Sequence, residues 1–207
     1  MRCPRRRGPG PGASATSHAV YWDKSDSKNP KKLNFKSHIP KKVKFESIYI
    51  NSLPPHILLS TKYDAISHCL DVMWSKDFEK VNKKEVEETL KGLLNPEIRP
   101  TELIQLGHKA GSFIQIVPTT ILHALSYPIT GRYNISHGIA LGFLIPPLCR
   151  IFNNNLKIEK LKTLDSFLDI NIDFIINEAQ TYTKFFNTNQ YIDLNILKRE
   201  LEKEIYD

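Results

Sequence analysis

The sequence predicts a mainly α-helical domain preceded by a short β-containing arm, and three observations support this prediction. After Thr61, apolar residues recur every three to four positions, and prolines and capping residues stand at the breaks, as in a series of amphipathic helices. Residues 17–55 instead alternate short β-prone runs with lysine-rich turns. Residues 1–16 form a basic tail rich in proline and glycine, a composition typical of disorder. The expected organisation is therefore a tail, an arm at 17–55 and a helical domain at 56–207.

The composition bounds both the size of the core and the choice of partners. With 207 residues, of which 41% are hydrophobic, the chain can bury one sizeable core. The formal net charge of +7 is concentrated in the tail and in a lysine-rich stretch between Lys24 and Lys44. An anionic partner would suit this charge. No alternation of aromatic and basic residues marks a nucleic-acid stacking surface, so nucleic acid is not the expected partner.

The cysteine pattern and the hydropathy pattern both predict a soluble cytoplasmic protein without a membrane partner. Cys3, Cys69 and Cys149 show no paired spacing, which favours a reducing compartment over a disulfide framework or a zinc knuckle. The longest apolar run, Ile139 to Cys149, contains two prolines and is too short to span a bilayer. The arginines near the start are not followed by the apolar segment of a signal peptide.

The sequence predicts the bounds of strands in the arm and of helices in the first half of the helical domain. Two strands are expected in the arm, at His18–Trp22 and Val43–Ile50. Residues 76–93 are polar and charged, which predicts a short solvent-facing helix. Thr101 is expected to cap a helix that ends before Pro118. The helix that follows Thr61 should have one apolar face, made of Ala65, Ile66, Cys69, Leu70, Met73 and Trp74.

Prolines mark the expected helix ends in the second half of the chain. A helix from Thr119 to Tyr127 should end at Pro128. Ser136 is a good capping residue for a further helix, which should stop at Pro146-Pro147. The pattern then stays helical to the end of the chain, and Asp193 is expected to cap the last helix.

Two histidines in this region, His123 and His137, stand fourteen residues apart, and each is followed by a small residue. Imidazole is the commonest metal ligand in proteins. Because His123 would lie near the end of one helix and His137 at the start of the next, the two rings can converge on one point. On spacing alone, however, one core histidine and one surface histidine is the simpler explanation.

The sequence around these histidines resembles the metal-site signature of the iron-containing (group III) alcohol dehydrogenases. That signature reads H-A-x-x-x-P, then a short loop, then H-G followed by small residues, and it matches the stretch from His123 to Pro147. The Ser-Tyr-Pro version in this chain is similar to the branch that contains phosphonoacetaldehyde reductases. Asp64 and His68, four residues apart on one helix face, resemble the family's T-G-x-D-A-x-x-H, with Lys62 in place of the glycine.

The resemblance implies one divalent metal ion bound by Asp64, His68, His123 and His137. Three imidazoles and one carboxylate suit Fe²⁺ or Zn²⁺, and Fe²⁺ is the expected ion. Tyr127 stands where some relatives have a second histidine that relays a proton, which makes it a candidate catalytic residue. Two other roles stay open for Tyr127, lining the pocket or packing in the core, and packing is favoured. The other histidines, at positions 18, 38, 56 and 108, lack a matching motif.

The resemblance also implies an NAD(P) cofactor in the complete family enzyme. The loop from Gly10 to Thr16 resembles the family's interdomain loop, so Gly12 and Thr16 are candidate cofactor-binding residues, although Pro11 and Ser14 differ from the pattern. Lys31 is nearest to the position of a cofactor-contacting lysine, one residue out of register. The 207 residues contain no glycine-rich turn between a strand and a helix. We therefore expect only the helical half of the dehydroquinate synthase-like fold, with the N-terminal α/β nucleotide domain absent.

The reaction that the resemblance implies is the NAD(P)H-linked interconversion of an aldehyde and a primary alcohol, with phosphonoacetaldehyde as one candidate substrate. The implied partners are a separate α/β domain and a second copy of the chain in a homodimer. Two other functions stay open, a non-catalytic metal-binding remnant and a basic nucleic-acid-binding module. A glycine-rich α/β domain encoded upstream would favour the enzyme over the remnant, whereas salt-sensitive DNA binding would support the third alternative.

Overall fold

The structure is a computed structural model that describes residues 18–23, 31–36, 50–153, 156, 167 and 169–206. The predicted tail at 1–16 lies outside the described residues, and so do residues 43–49 of the predicted second strand.

The arm contains an antiparallel pair of strands, β1 (His18–Asp23) and β2 (Lys31–Lys36). The prediction of a first strand from His18 is confirmed. The second strand is not at the predicted position, because β2 at Lys31–Lys36 lies between the two predicted strands, His18–Trp22 and Val43–Ile50. Leu33 and Phe35 alternate with polar residues there, which is the pattern of a strand with one apolar face. Ile50, the predicted end of the second strand, is helical instead.

Seven α-helices follow within the described residues. They are α1 (Pro55–Met73), α2 (Lys83–Leu94), α3 (Pro100–Ile116), α4 (Ile121–Tyr133), α5 (His137–Ile151), α6 (Ile172–Gln180) and α7 (Leu194–Tyr206). Two short 3₁₀ helices, Phe78–Lys80 and Thr183–Phe186, stand between them. The prediction of a mainly helical domain is thereby confirmed.

Helix α1 is the central element of this domain, because it packs against α2, α3, α4 and α5. Between Thr61 and Val72, only Lys62 is not buried. The helix therefore buries more than the single apolar face that was predicted, since Asp64, His68 and Asp71 are also inside the protein. A helix enclosed on all sides has no solvent face for its polar residues. Those polar groups must find partners in the interior.

The prolines of the second half do not end their helices as predicted. Pro128 lies inside α4, which continues to Tyr133 and closes with Asn134 in the left-handed region at φ 54°. Pro146 and Pro147 lie inside α5, which continues to Ile151. A proline in a helix interior costs about 3 kcal/mol. Packing of neighbouring side chains that are fully buried, such as Leu144 and Leu148, offsets this cost.

Other helix boundaries follow their local signals. Asp193 caps α7 as predicted, because its Oδ1 accepts hydrogen bonds from the backbone N–H groups of Asn195 at 2.8 Å and Ile196 at 3.2 Å. The prediction that Thr101 caps the third helix is wrong, because this helix begins at Pro100, after Arg99, and Thr101 lies inside its first turn. Helix α2 is amphipathic rather than merely solvent-facing, since it buries Val86, Leu90 and Leu93.

Candidate metal centre

Three helices bring the four predicted metal-ligating residues together. Asp64 and His68 lie one turn apart on α1, His123 lies in the first turn of α4, and His137 is the first residue of α5. The prediction that His123 lies near the end of its helix is wrong, because α4 begins at Ile121 and continues past Pro128 to Tyr133. Both α4 and α5 start at the cluster, so their first turns point their histidines at the same place on α1.

The side chains converge on one oxygen atom. The Nε2 atoms of His68, His137 and His123 lie 3.5, 3.7 and 3.8 Å from Asp64 Oδ1. These distances exceed the 2.7–3.2 Å of ordinary N–H···O bonds, and among the described residues the buried Oδ1 accepts no hydrogen bond. The His68 and His123 rings stack at 5.1 Å, and the His123 and His137 ring centroids are 5.3 Å apart.

Three of the four side chains of the cluster are buried, and the fourth is partly exposed. His68, His123 and Asp64 are buried, whereas the His137 side chain is 36% exposed. A ligand from solvent therefore approaches the cluster beside His137. The remaining walls come from the buried faces of α1 and α4.

The protonation states of the cluster favour a cation. Burial by itself would raise the pKa of the Asp64 carboxyl, but the imidazoles of His68, His123 and His137 together lower that pKa well below its usual range. Burial lowers the pKa of His68, which its attraction to Asp64 opposes only in part. A carboxylate beside a neutral imidazole is the protonation state in which these groups bind metal ions.

The geometry fits a divalent metal ion. Ligand atoms bound to a common ion at about 2.0–2.2 Å in a tetrahedral shell lie roughly 3.3–3.6 Å from one another. The three imidazole-to-carboxylate distances, 3.5 to 3.8 Å, are close to this spacing. Candidate ligand atoms of Asp64, His68 and His123 all lie within 4.8 Å of each other. An ion at their centre would also give the buried Asp64 Oδ1 a partner.

Asp71, which sequence reasoning did not single out, holds His123 in place. Its Oδ2 lies 2.7 Å from His123 Nδ1, so with Nδ1 protonated the ring presents an unprotonated Nε2 to the cluster. The same carboxylate accepts hydrogen bonds from the backbone N–H groups of Leu122 and His123 and from the Thr120 hydroxyl. Asp71 of α1 therefore caps the start of α4 as well as orienting its histidine. Asp71 stands two helical turns after Asp64, but its partner His123 lies 52 residues away, so the local sequence does not indicate its role.

Two small residues fix the position of His137. A Cβ atom on Gly138 would collide with the carbonyl oxygen of Ser60, so only glycine lets the start of α5 lie directly on α1. Ser126 of α4 places its hydroxyl 3.4 Å from His137 Nδ1 and donates to the His123 carbonyl oxygen at 2.8 Å. The small residue after His137 is therefore explained by the close packing of α5 on α1.

Tyr127 lies at the edge of the cluster, one turn after His123. Its ring stacks on His137 at 6.1 Å and meets His123 edge-on at 6.4 Å. The ring is buried, as the packing role requires, and burial raises the pKa of its phenol above the ordinary value. Its hydroxyl also accepts a hydrogen bond from Lys184 Nζ at 2.7 Å, and Lys184 was another residue that sequence reasoning missed.

The other predicted site residues are not brought to this cluster by any described contact. Gly12 and Thr16 lie outside the described residues, and Lys31 is the first residue of β2. Among the remaining described histidines, His56 is exposed in the first turn of α1 and His108 is half-buried on α3. Their assignment to ordinary structural positions agrees with these locations.

A helical domain that gathers three histidines and one aspartate from three helices corresponds to a known fold. No protein-family model and no curated protein sequence matches the chain. Solved structures do match it. An iron-containing alcohol dehydrogenase from Thermotoga maritima superposes with a TM-score of 0.73 and 19% identity, over 96% of this chain and 62% of that one.

Two further structures give the same result. Sulfoacetaldehyde reductase from Bifidobacterium kashiwanohense, solved with NAD⁺, has a TM-score of 0.76 and 18% identity over 94% of this chain and 62% of its own. An iron-containing alcohol dehydrogenase from Corynebacterium glutamicum has a TM-score of 0.71 and 16% identity over 94% and 64%. The chain therefore has the fold of the helical domain of iron-containing alcohol dehydrogenases. It spans less than two thirds of the length of these proteins.

No described helix is both long enough and apolar enough to cross a membrane.

Proposed function

We propose that this chain is the metal-binding part of an oxidoreductase that interconverts an aldehyde and a primary alcohol with NAD(P). The observation that carries the proposal is the convergence of three histidine Nε2 atoms on the buried, unbonded Oδ1 of Asp64. The fold adds support, because the solved proteins that share it are named as iron-containing alcohol dehydrogenases and related reductases. Fe²⁺ is the proposed ion, with Zn²⁺ as the alternative that the same ligands accept.

The four ligands would hold the ion, and the residues behind them would keep the ligands in position. Asp71 fixes the His123 ring, and Gly138 lets α5 carry His137 against α1. When bound, such an ion supplies Lewis acidity toward the oxygen of an aldehyde or alcohol. The side of the cluster next to His137 and Tyr127 admits this substrate, while the buried ligands exclude bulk water from the other sides.

The nicotinamide would come from a part that these described helices do not provide. The Bifidobacterium reductase of similar fold was solved with NAD⁺ and is longer than this chain. We propose that an α/β nucleotide domain works together with the present chain, and that Gly12, Thr16 and Lys31 approach the cofactor there. Aldehydes that carry an acid group, such as phosphonoacetaldehyde or sulfoacetaldehyde, are the proposed substrate class. Cytoplasmic location and a homodimer belong to the same proposal.

A ligand-binding experiment tests the proposal without requiring hydride transfer. The ¹⁹F NMR signal of 2,2,2-trifluoroethanol is followed during titration of the metal-free chain and of the Zn²⁺-loaded chain. We expect binding only to the Zn²⁺-loaded chain, and loss of that binding in His123→Ala. Equal binding by the metal-free and the loaded chains would overturn the proposal, because the alcohol would then not be recognised through the metal centre.

A further inference from the structure

Lys184 is placed unusually for a lysine of this chain. Most described lysines that make ion pairs lie on the surface, such as Lys80 with Asp77 and Lys198 with Asp173. Lys184 is half-buried, on the 3₁₀ helix between α6 and α7, and it makes no ion pair among the described residues. A partly desolvated ammonium without a counter-ion is unfavourable. Burial lowers the pKa of Lys184 to about 8, and the attraction of the Asp71 carboxylate, which is not in contact with it, opposes this only in part.

The neighbours of the Lys184 ammonium are hydroxyl groups. Nζ donates to the Tyr127 hydroxyl at 2.7 Å and to the Thr119 hydroxyl at 2.9 Å, and it lies 4.8 Å from the centre of the Tyr127 ring. An ammonium next to two hydroxyls has the composition of a site for an oxyanion, because all three groups can donate hydrogen bonds to its oxygens.

The Lys184 ammonium and the hydroxyls of Thr119 and Tyr127 lie beside the metal centre rather than elsewhere on the surface. A single side chain, Tyr127, separates the ammonium from the imidazoles, since its ring stacks on His137 and meets His123 edge-on. The Tyr182 ring, edge-on to Tyr127 at 5.3 Å, packs on the same wall.

We infer that Lys184, with the Thr119 and Tyr127 hydroxyls, binds the anionic end of the substrate. This inference rests on the proposed function. It adds to that function by assigning the specificity for acid-bearing aldehydes to named residues. The substrate is a short aldehyde or alcohol whose oxygen faces the three imidazoles and whose phosphonate or sulfonate faces the ammonium. The bound anion supplies the direct ion pair that Lys184 does not make among the described residues.

The test compares matched ligands by calorimetry on the Zn²⁺-loaded chain. The anionic probes are 2-hydroxyethanesulfonate and 2-hydroxyethylphosphonate, and the neutral probe is 2-(methylsulfonyl)ethanol, in which a methyl group replaces one sulfonate oxygen. We expect the chain to bind the anionic probes about tenfold or more tightly than the sulfone. Lys184→Met should remove this preference while it leaves the affinity for the sulfone unchanged, and Lys184→Arg should retain most of it.

Lys198→Met is the matched control, because it removes the same charge from an exposed position on α7. We expect it to leave every affinity unchanged. Binding of the sulfone without any preference for the anions, or a preference that survives Lys184→Met, would overturn the assignment of Lys184 and leave the proposed function intact. Failure of all three probes to bind the loaded chain would overturn both. If Lys198→Met also lost the preference for the anionic probes, the assignment would be overturned, because the preference would then reflect the net charge of the chain alone.

Discussion

Asp71 illustrates how one buried side chain connects the fold to the candidate metal centre. It is fully buried, and its two oxygens accept hydrogen bonds from the Thr120 hydroxyl, two backbone amides and, through Nδ1, the His123 ring. Burial would raise the pKa of this carboxyl, but these hydrogen bonds, first of all that of His123, lower it. The carboxylate therefore stays ionised, and in the neutral ring it favours the His123 tautomer with the proton on Nδ1 and the lone pair on Nε2.

Substitution of Asp71 by asparagine should separate the capping role from the orienting role. The asparagine side chain would retain an oxygen to accept from the start of α4, but its amide N–H would favour the His123 tautomer with the proton on Nε2. We expect the affinity for Zn²⁺ to fall roughly 10–100-fold in Asp71→Asn, as is typical for loss of a partner behind a metal ligand. Competition titration with a chromophoric chelator measures this affinity for Zn²⁺.

Asp77→Asn is the control, since Asp77 pairs only with the exposed Lys80 on the surface. Its metal affinity should equal that of the unmodified chain. Unchanged affinity in Asp71→Asn would show that the His123–Asp71 bond does not set the tautomer.

The individual residues of the site were predictable to different degrees. The four candidate ligands stand out in the sequence because their surroundings resemble the metal-site motifs of the iron-containing alcohol dehydrogenases, and the structure brings all four together. Asp71 and Lys184 do not stand out in the same way. Their roles depend on partners 52 and 57 residues away, His123 and Tyr127, which only the packing of helices brings close.

The contact between α1 and α5 depends on a glycine. Gly138 follows His137, and its α-carbon faces the Ser60 backbone so closely that no side chain fits. Because backbone rather than a flexible side chain is the obstacle, α5 must shift to accommodate even a methyl group. A shift of α5 would also displace His137 relative to Asp64.

Gly138→Ala should therefore destabilise the chain by about 1–3 kcal/mol of unfolding free energy, the usual cost of overpacking in a well-packed interior. Urea denaturation followed by circular dichroism measures this change. In the control Gly107→Ala, the new methyl makes only an ordinary contact at 3.6 Å with the Ala65 Cβ atom. Gly107→Ala should be neutral or should stabilise the chain by about 0.5–1 kcal/mol, because alanine favours helix over glycine. Equal effects of the two substitutions would contradict this account of the contact.

Helix boundaries were less predictable than the existence of the helices. Prolines 128, 146 and 147 were expected to end helices, but α4 and α5 continue beyond them. The local cost of a proline is a few kcal/mol, whereas the benefit of burying the following turn depends on tertiary neighbours that the local sequence does not reveal. Strand β2 was missed for a different reason, because its two apolar residues stand among lysines and the stretch therefore resembles a polar turn.

The molecule as a whole matches a part of longer proteins. It spans 62% of the Thermotoga maritima dehydrogenase, and the region described here gathers its candidate ligands from three helices. The helical fold was predictable from periodicity after Thr61 together with the resemblance of the histidine motifs. The placement of Lys184 was not predictable, because nothing in the local sequence around it indicates that its ammonium lies next to the Tyr127 hydroxyl.

We predict that the 207-residue chain by itself does not reduce aldehydes with NADH or NADPH at a useful rate. The candidate ligands are all present, but these residues contain no glycine-rich turn for a dinucleotide pyrophosphate. Without a positioned nicotinamide, the proximity contribution to hydride transfer is lost. The assay follows NAD(P)H absorbance with the metal-loaded chain and phosphonoacetaldehyde, sulfoacetaldehyde or propionaldehyde. Robust turnover would contradict the view that a further domain is required.

The most direct test of the central claim is the metal content of the untagged protein. We predict close to one Fe or Zn ion per chain by elemental analysis, because Asp64, His68, His123 and His137 form a single site. His123→Ala should lose most of this metal, whereas His56→Ala, which changes an exposed histidine outside the cluster, should retain it. If His123→Ala instead keeps the full metal content, the assignment of the metal centre is wrong.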